Sequence, residues 1–206
     1  MHSSPLADRT RRPSLTLRHS LLVRPALLLA AALVAAAPLS PPAHVRNFGE
    51  VNSEIFRGAA PTDLGLQELA SAGVKLIVDL REPGSATIHE RAETERLGMK
   101  YVNVPFQSFS APTPAQVRSV LLLMLDHPPG SLFVHCRRGK DRTGTVVACY
   151  RIQHDGWKNQ AAIKEADRFG MSRAELGMRS FILHFSPATL AVLPANSAGA
   201  RSATQP

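Results

Sequence analysis

The run Ser131-Leu132-Phe133-Val134-His135 has strand length and is mostly apolar, and it ends on Cys136. Five residues later Arg142 stands where a helical pattern begins, running from Thr143 to His154. A strand that feeds a helix through so short a loop belongs to a sheet with helical crossovers. The rest of the chain keeps that alternation. Residues 54–58 read as a short strand, and Pro61-Thr62-Asp63 opens a helix with Leu64, Leu66, Leu69 and Ala70 on one side and Gly73 as its stop. Residues 75–80 form a compact apolar run, as in a strand covered on both faces. A polar helix over 87–97, a strand over 101–104 stopped by Pro105, and a helix over 114–126 follow. That last helix places Val117, Val120, Leu121 and Met124 on one face. Two more helices, over 159–169 and 173–185, come after the helix at 143–154. The expected fold class is α/β: a single domain with a largely parallel central sheet flanked by helices.

With 44% apolar and 19% charged residues the chain has a core to bury, and wholesale disorder is excluded. The formal charge of +8 would suggest nucleic acid, but its location argues otherwise. Residues 1–46 hold six arginines against the single acid Asp8, leaving 18 basic and 15 acidic residues, or +3, for 47–206. No nucleic-acid partner is expected. The basic N-terminus leads into twelve apolar residues, Ala26 to Ala37, followed by a Pro-rich linker. A charged region, a short apolar region and small residues after it make an export signal. A membrane span needs about 20 apolar residues, so membrane contact is expected only if this segment stays uncleaved as an anchor. A mis-assigned start ahead of a cytosolic protein is the remaining reading. The expected organisation is 1–44 export signal or anchor with linker, 45–186 the α/β domain, and 187–206 disordered tail. The expected location is periplasmic or secreted. Two cysteines, Cys136 and Cys149, rule out a disulfide framework, and no Cys/His cluster has zinc spacing. No metal and no cofactor are expected.

The loop 136–142 carries the chemistry. A turn between strand and helix can wrap its N–H groups around one phosphate, with the helix dipole adding to the field. The same field favours the thiolate of Cys136, the nucleophilic form. Arg142 would grip two phosphate oxygens through its planar fork. Gly139 permits the tight curve, Gly144 is expected to let the helix pack close to the sheet, and Thr143 would hydrogen-bond the thiolate as it leaves. The plain structural alternative is a buried cysteine beside surface arginines.

His135-Cys136-Arg137-Arg138-Gly139-Lys140-Asp141-Arg142-Thr143-Gly144 resembles the signature of the cysteine-dependent phosphatases, in particular the dual-specificity branch. Asn47-Phe48-Gly49-Glu50-Val51, Ile55-Phe56-Arg57-Gly58 with Pro61, Ile77-Val78-Asp79-Leu80-Arg81 and Tyr101-Val102-Asn103-Val104-Pro105 extend the resemblance to its compact atypical members from plants, fungi and bacteria. The resemblance implies a phosphomonoester hydrolase of the tyrosine or dual-specificity type, with Cys136 as nucleophile and Arg142 as phosphate-binding arginine. Larger members carry a general-acid aspartate on the loop after the third strand, whereas residues 105–112 here contain no carboxylate. Asp141 is the first candidate for that acid and Asp79 the second.

Arg137, Arg138 and Lys140 surround the loop with positive charge and, with Gly139 and Thr143, make up the expected substrate-binding set. His135 reads as a loop-shaping residue rather than a proton shuttle, Cys149 as core, and Arg57 and Arg81 as shaping the pocket or pairing with acids. A phosphorylated protein is the first substrate expected. An inositol polyphosphate or pyrophosphate, or a phosphoinositide, is the alternative under the same mechanism. Sulfur transfer and an inactive phosphate-binding module rank lower.

Overall fold

The computed structural model describes residues 41–127 and 130–188. The expected export signal, apart from its last four linker residues, and the tail from residue 189 lie outside the described residues. Five strands and six helices follow one another as β1 (Gly49–Glu50), β2 (Ile55–Ala59), α1 (Asp63–Ser71), β3 (Val74–Asp79), α2 (Ser85–Arg96), β4 (Lys100–Asn103), α3 (Pro114–Leu125), β5 (Ser131–Cys136), α4 (Asp141–Gln153), α5 (Asn159–Arg168) and α6 (Leu176–His184). They form one sheet in the order β1-β2-β5-β3-β4, parallel throughout except for β1, which pairs antiparallel with β2. The domain is the α/β architecture expected, with β5 at the centre of the sheet.

Alternation along the central strands feeds two cores. Leu76 and Val78 of β3 and Leu132, Val134 and Cys136 of β5 face α3, α4, α5 and α6. Ile77 and Phe133 face the other side, where Leu66 and Leu69 of α1 and Met99 pack. Side chains two apart in a strand share a face, so Cys136 points to the α4 side and His135 to the α2 side. Helix α2 has little apolar surface. It buries Thr87, Glu90 and Thr94 instead, and Glu90 is what His135 meets.

Local signals set the helix starts. Thr62 caps α1 by accepting from the Gly65 N–H at 3.1 Å. Thr113 and Gln116 form a reciprocal capping box on α3, with Pro114 in its first turn. Gln116 Nε2 also donates to the Pro105 carbonyl at 2.7 Å, tying α3 to the loop after β4.

Four details depart from the sequence reading. Leu64 is 53% exposed, because α1 buries only Gly65, Leu66 and Leu69. Strand β1, two residues long, carries no periodicity to read. Helix α4 begins at Asp141 rather than Thr143, so Asp141 and Arg142 sit in its first turn. Helix α6 begins at Leu176 rather than at Arg173.

Candidate active site

The loop from Cys136 to Arg142 is held from behind. Gly139 adopts φ +67, and a Cβ added there would lie 2.3 Å from the Gly58 carbonyl carbon. Only glycine fits both the backbone angle and the space. The Gly139 carbonyl accepts from Arg57 Nη2 and from Asn47 Nδ2, each at 2.9 Å. Asn47 also donates to the Arg138 carbonyl at 3.3 Å and the Phe169 carbonyl at 3.1 Å, which joins the loop to the end of α5. Its own φ of 53 is one that asparagine tolerates better than most residues. Arg57 is buried with its guanidinium 3.8 Å from the Phe169 ring centroid. Burial brings it down to about 10, against the charges of Glu165 and Cys136, which favour the cation. With the Arg138 and Gly139 carbonyls fastened behind the loop, the Arg138 N–H serves the Cys136 sulfur.

Cys136 ends β5 beside Ala59 of β2 and is 3% exposed. Burial by itself would push its thiol up. The hydroxyl and N–H of Thr143, the N–H of Arg138 and the charge of Arg142 outweigh burial and hold it below the ordinary thiol value. Thr143 Oγ1 is buried with no oxygen or nitrogen partner, which leaves the Cys136 sulfur as the group it serves. Arg142 Nη1 donates to the carbonyls of Leu80 and Phe106 at 3.3 and 3.2 Å. These bonds fix the guanidinium at the cavity wall and leave its remaining donors for an anion. A thiolate, a cation and convergent N–H groups can bind one phosphoryl group and attack it.

The cavity over Cys136 holds about 180 Å³ and is lined by Arg137, Arg138, Asp141 and Arg142 from the loop and α4, with Ser108, Phe109 and Glu175 opposite. Asp141 Oδ1 accepts from the Ser172 N–H at 2.7 Å, anchoring the connection between α5 and α6. A neighbouring cavity of about 340 Å³ is lined by Arg46, Asn47, Ala59, Arg137, Arg138 and Lys140, with no acid among them. Arg137 and Arg138 belong to both. The structure thus brings together Cys136, Arg137, Arg138, Asp141, Arg142 and Thr143, while Lys140 faces the second cavity and Gly139 shapes the loop from behind.

Other expected residues lie elsewhere. Asp79 is buried and held by Arg81 at 2.7 Å and by the Tyr101 hydroxyl at 2.6 Å. Burial raises its carboxyl, but His135, Arg81 and Tyr101 together hold it below the ordinary carboxylate range, which removes it as a proton donor. His135 Nε2 lies 2.8 Å from Glu90 Oε1, on the face of the sheet away from Cys136. Despite burial, Glu90 and Asp79 raise the imidazole and favour its cation. Asp79, Glu90 and His135 are also the one group of potential metal ligands among the described residues. The Arg81 guanidinium, 2.7 Å from both carboxylates, already supplies the positive charge there. Gly144 packs α4 against α5 rather than against the sheet: a Cβ there would meet Ala166 Cβ at 3.3 Å. Cys149 is fully buried and burial pushes its thiol up, so it is core and a poor redox partner.

Sequence reasoning missed Asn47 as a clamp, Glu90 and Glu175. Asn47 was visible only as part of a motif, and the two glutamates gain their importance from burial, which no local pattern reports.

Comparison with known proteins bears on this geometry. A family model described as a DSP-PTPase phosphatase fused to NAD+ kinase matches residues 44–182. Inositol diphosphatase DSP4 of Arabidopsis thaliana is 28% identical over 160 residues, covering 72% of this chain and 76% of its own length. Dual specificity protein phosphatase TpbA of Pseudomonas aeruginosa is 31% identical over 125 residues, covering 60% of this chain and 55% of its own. The core catalytic domain of the PP-IP phosphatase SIW14 from S. cerevisiae has a similar fold, with a TM-score of 0.61 at 24% identity over 75% of this chain and 92% of that one.

Proposed function

The chain belongs to the DSP-PTPase phosphatase family and is a cysteine-dependent phosphatase, and on that premise we propose that its preferred substrates carry a second phosphate beside the one removed. Inositol polyphosphates and diphosphates are the substrate class meant. The observation that carries this reading is the basic cavity of about 340 Å³ that shares Arg137 and Arg138 with the cavity over Cys136. A phosphate seated on Cys136 would leave a neighbouring phosphate within the field of Arg46, Arg137, Arg138 and Lys140. That order reverses the sequence-based one, which puts a phosphorylated protein first. Relatives named as inositol diphosphatases support it.

In the proposed mechanism the Cys136 thiolate attacks phosphorus while Arg142 and the loop N–H groups hold the equatorial oxygens. The S–P bond forms as the bond to the leaving oxygen breaks. Water then attacks the phosphocysteine, phosphate departs, and Thr143 receives the returning thiolate in a hydrogen bond. The geometry favours one second reading. Phe109 is 78% exposed at the rim of the Cys136 cavity and offers a ring-sized apolar surface to a phosphotyrosine side chain.

The test is kcat/KM of the full chain for an inositol polyphosphate and for a phosphotyrosyl peptide, with Cys136→Ser as control. The proposal requires the inositol polyphosphate to win and Lys140→Ala to lower its kcat/KM more than the peptide's. A peptide preference unaffected by Lys140→Ala would give the site to phosphoproteins. The export signal expected within residues 1–44 would bring the enzyme to substrates outside the cytosol, which fractionation of cells expressing the full chain would test.

A further inference from the structure

Hydrolysis of an alkyl phosphate ester through phosphocysteine needs a proton for the leaving alkoxide, and the loop after β4 has no carboxyl to give one. Two carboxyls do reach the cavity: Asp141 and Glu175. Asp141 is engaged in holding the Ser172 N–H. Glu175, just ahead of α6, differs in kind. It is 5% exposed, and its Oε2 is buried with no hydrogen-bond partner. An ionised oxygen left without a donor in such a place is costly, whereas a protonated one has its own O–H to offer the cavity.

We propose that the Glu175 carboxyl is the general acid of this phosphatase, donating its proton to the leaving oxygen across the cavity from Cys136. The proposal rests on the phosphatase reading above and adds the residue that completes it. Several charged groups face Glu175. From α4 come Asp141, which disfavours its ionisation, and Arg142, which favours it. The loop brings Cys136, Arg137 and Arg138 to the same cavity. The loop after β4 contributes no titratable group but donates the Phe109 N–H. Burial first and Asp141 second lift the carboxyl above its ordinary value, and Phe109 and Arg142 only partly offset them. The loop that carries the acid in larger relatives therefore acts here by orienting an acid held on another element.

The proton count closes. In the first step sulfur bonds to phosphorus, the P–O bond to the leaving group breaks, and the Glu175 proton goes to that oxygen. In the second step a water oxygen bonds to phosphorus, the S–P bond breaks, and the water proton returns to the Glu175 carboxylate.

The experiment uses the full chain as wild type, Glu175→Gln, Glu175→Asp and Asp141→Asn. Each is assayed on p-nitrophenyl phosphate, whose leaving group needs no proton, and on an inositol polyphosphate without a diphosphate group, whose alkoxide does. Glu175→Gln is expected to lower kcat/KM for the inositol ester on the order of 10²-fold and for the nitrophenyl ester only a few-fold. It should also abolish the alkaline fall of kcat/KM for the inositol ester, a limb that Glu175→Asp retains. Turnover of nitrophenyl phosphate by the variants shows that they are folded. An equal fall in kcat/KM for both esters in Glu175→Gln, or a leaving-group-selective loss in Asp141→Asn alone, overturns the assignment while leaving the phosphatase intact. Failure of the wild type on both esters would overturn the phosphatase reading and this proposal with it.

Discussion

Asn47 and Gly139 stand 92 positions apart, and the Asn47 side-chain amide donates to the Gly139 carbonyl at 2.9 Å. With Arg57 on the same oxygen, that bond turns the loop's carbonyl edge toward the protein body. Replacing Asn47 by glycine keeps the positive φ available and deletes the amide whose two N–H groups serve the Arg138, Gly139 and Phe169 carbonyls. A buried hydrogen bond contributes about 1 kcal/mol net, so Asn47→Gly should lower stability by about 1–3 kcal/mol in urea unfolding. It should lower kcat/KM by about tenfold or more, because a loosened loop no longer presents its N–H groups together.

Gly139→Ala tests the same cradle by steric means. The left-handed backbone costs an alanine about 1–2 kcal/mol, and the 2.3 Å approach to the Gly58 carbonyl adds overpacking of about 1–3 kcal/mol. Loss of about 2–5 kcal/mol and of phosphate binding is expected by denaturation and by phosphate titration. A variant as stable as wild type would mean that the loop can relax away from β2.

Thr143 is expected to act on the nucleophile rather than on the fold. Thr143→Val keeps the shape and removes the hydroxyl that favours the Cys136 thiolate. The pH dependence of iodoacetamide alkylation at Cys136 should shift upward, while Cys149 stays unreactive in the folded protein.

The ion network behind the sheet sets the pH dependence of stability. His135 is raised above its ordinary value of 6.5. Its contribution is fully present below that value and is lost as pH rises through the raised one. Asp79 is lowered from 3.8, so its contribution is present above 3.8 and is lost as pH falls through the lowered value. The melting temperature should therefore decline on both sides of a weakly acidic optimum. Glu90→Gln leaves His135 and Arg81 without their shared carboxylate, so a loss of about 3–5 kcal/mol is expected. The decline above 6.5 should also flatten in that variant.

Much of this was legible in the residues, for identifiable reasons. Strands β2 to β5 announce themselves as apolar runs between turn residues, and Cys136 and Arg142 lie close enough in sequence for their spacing to carry meaning. The Glu175 side of the cavity was not legible. Glu175 follows Cys136 by 39 positions and reads in the sequence as one more polar residue in the first turn of the helix expected over 173–185, whereas that helix begins only at Leu176. Its burial and unpaired oxygen exist only after α6 packs. Asp79 misled for the opposite reason. It ends a strand near the ligand-binding edge, but Tyr101 on the neighbouring strand and Arg81 two residues on engage its carboxylate.

The most direct test of the account is to quench the full chain with acid during turnover of an inositol polyphosphate and weigh its peptides. The account predicts one added phosphoryl group on the peptide containing Cys136, absent from Cys136→Ser, and more of it when hydrolysis of the intermediate is slowed by Glu175→Gln on an activated ester. Phosphate release that persists in Cys136→Ser, with no phosphorylated cysteine in wild type, would contradict it.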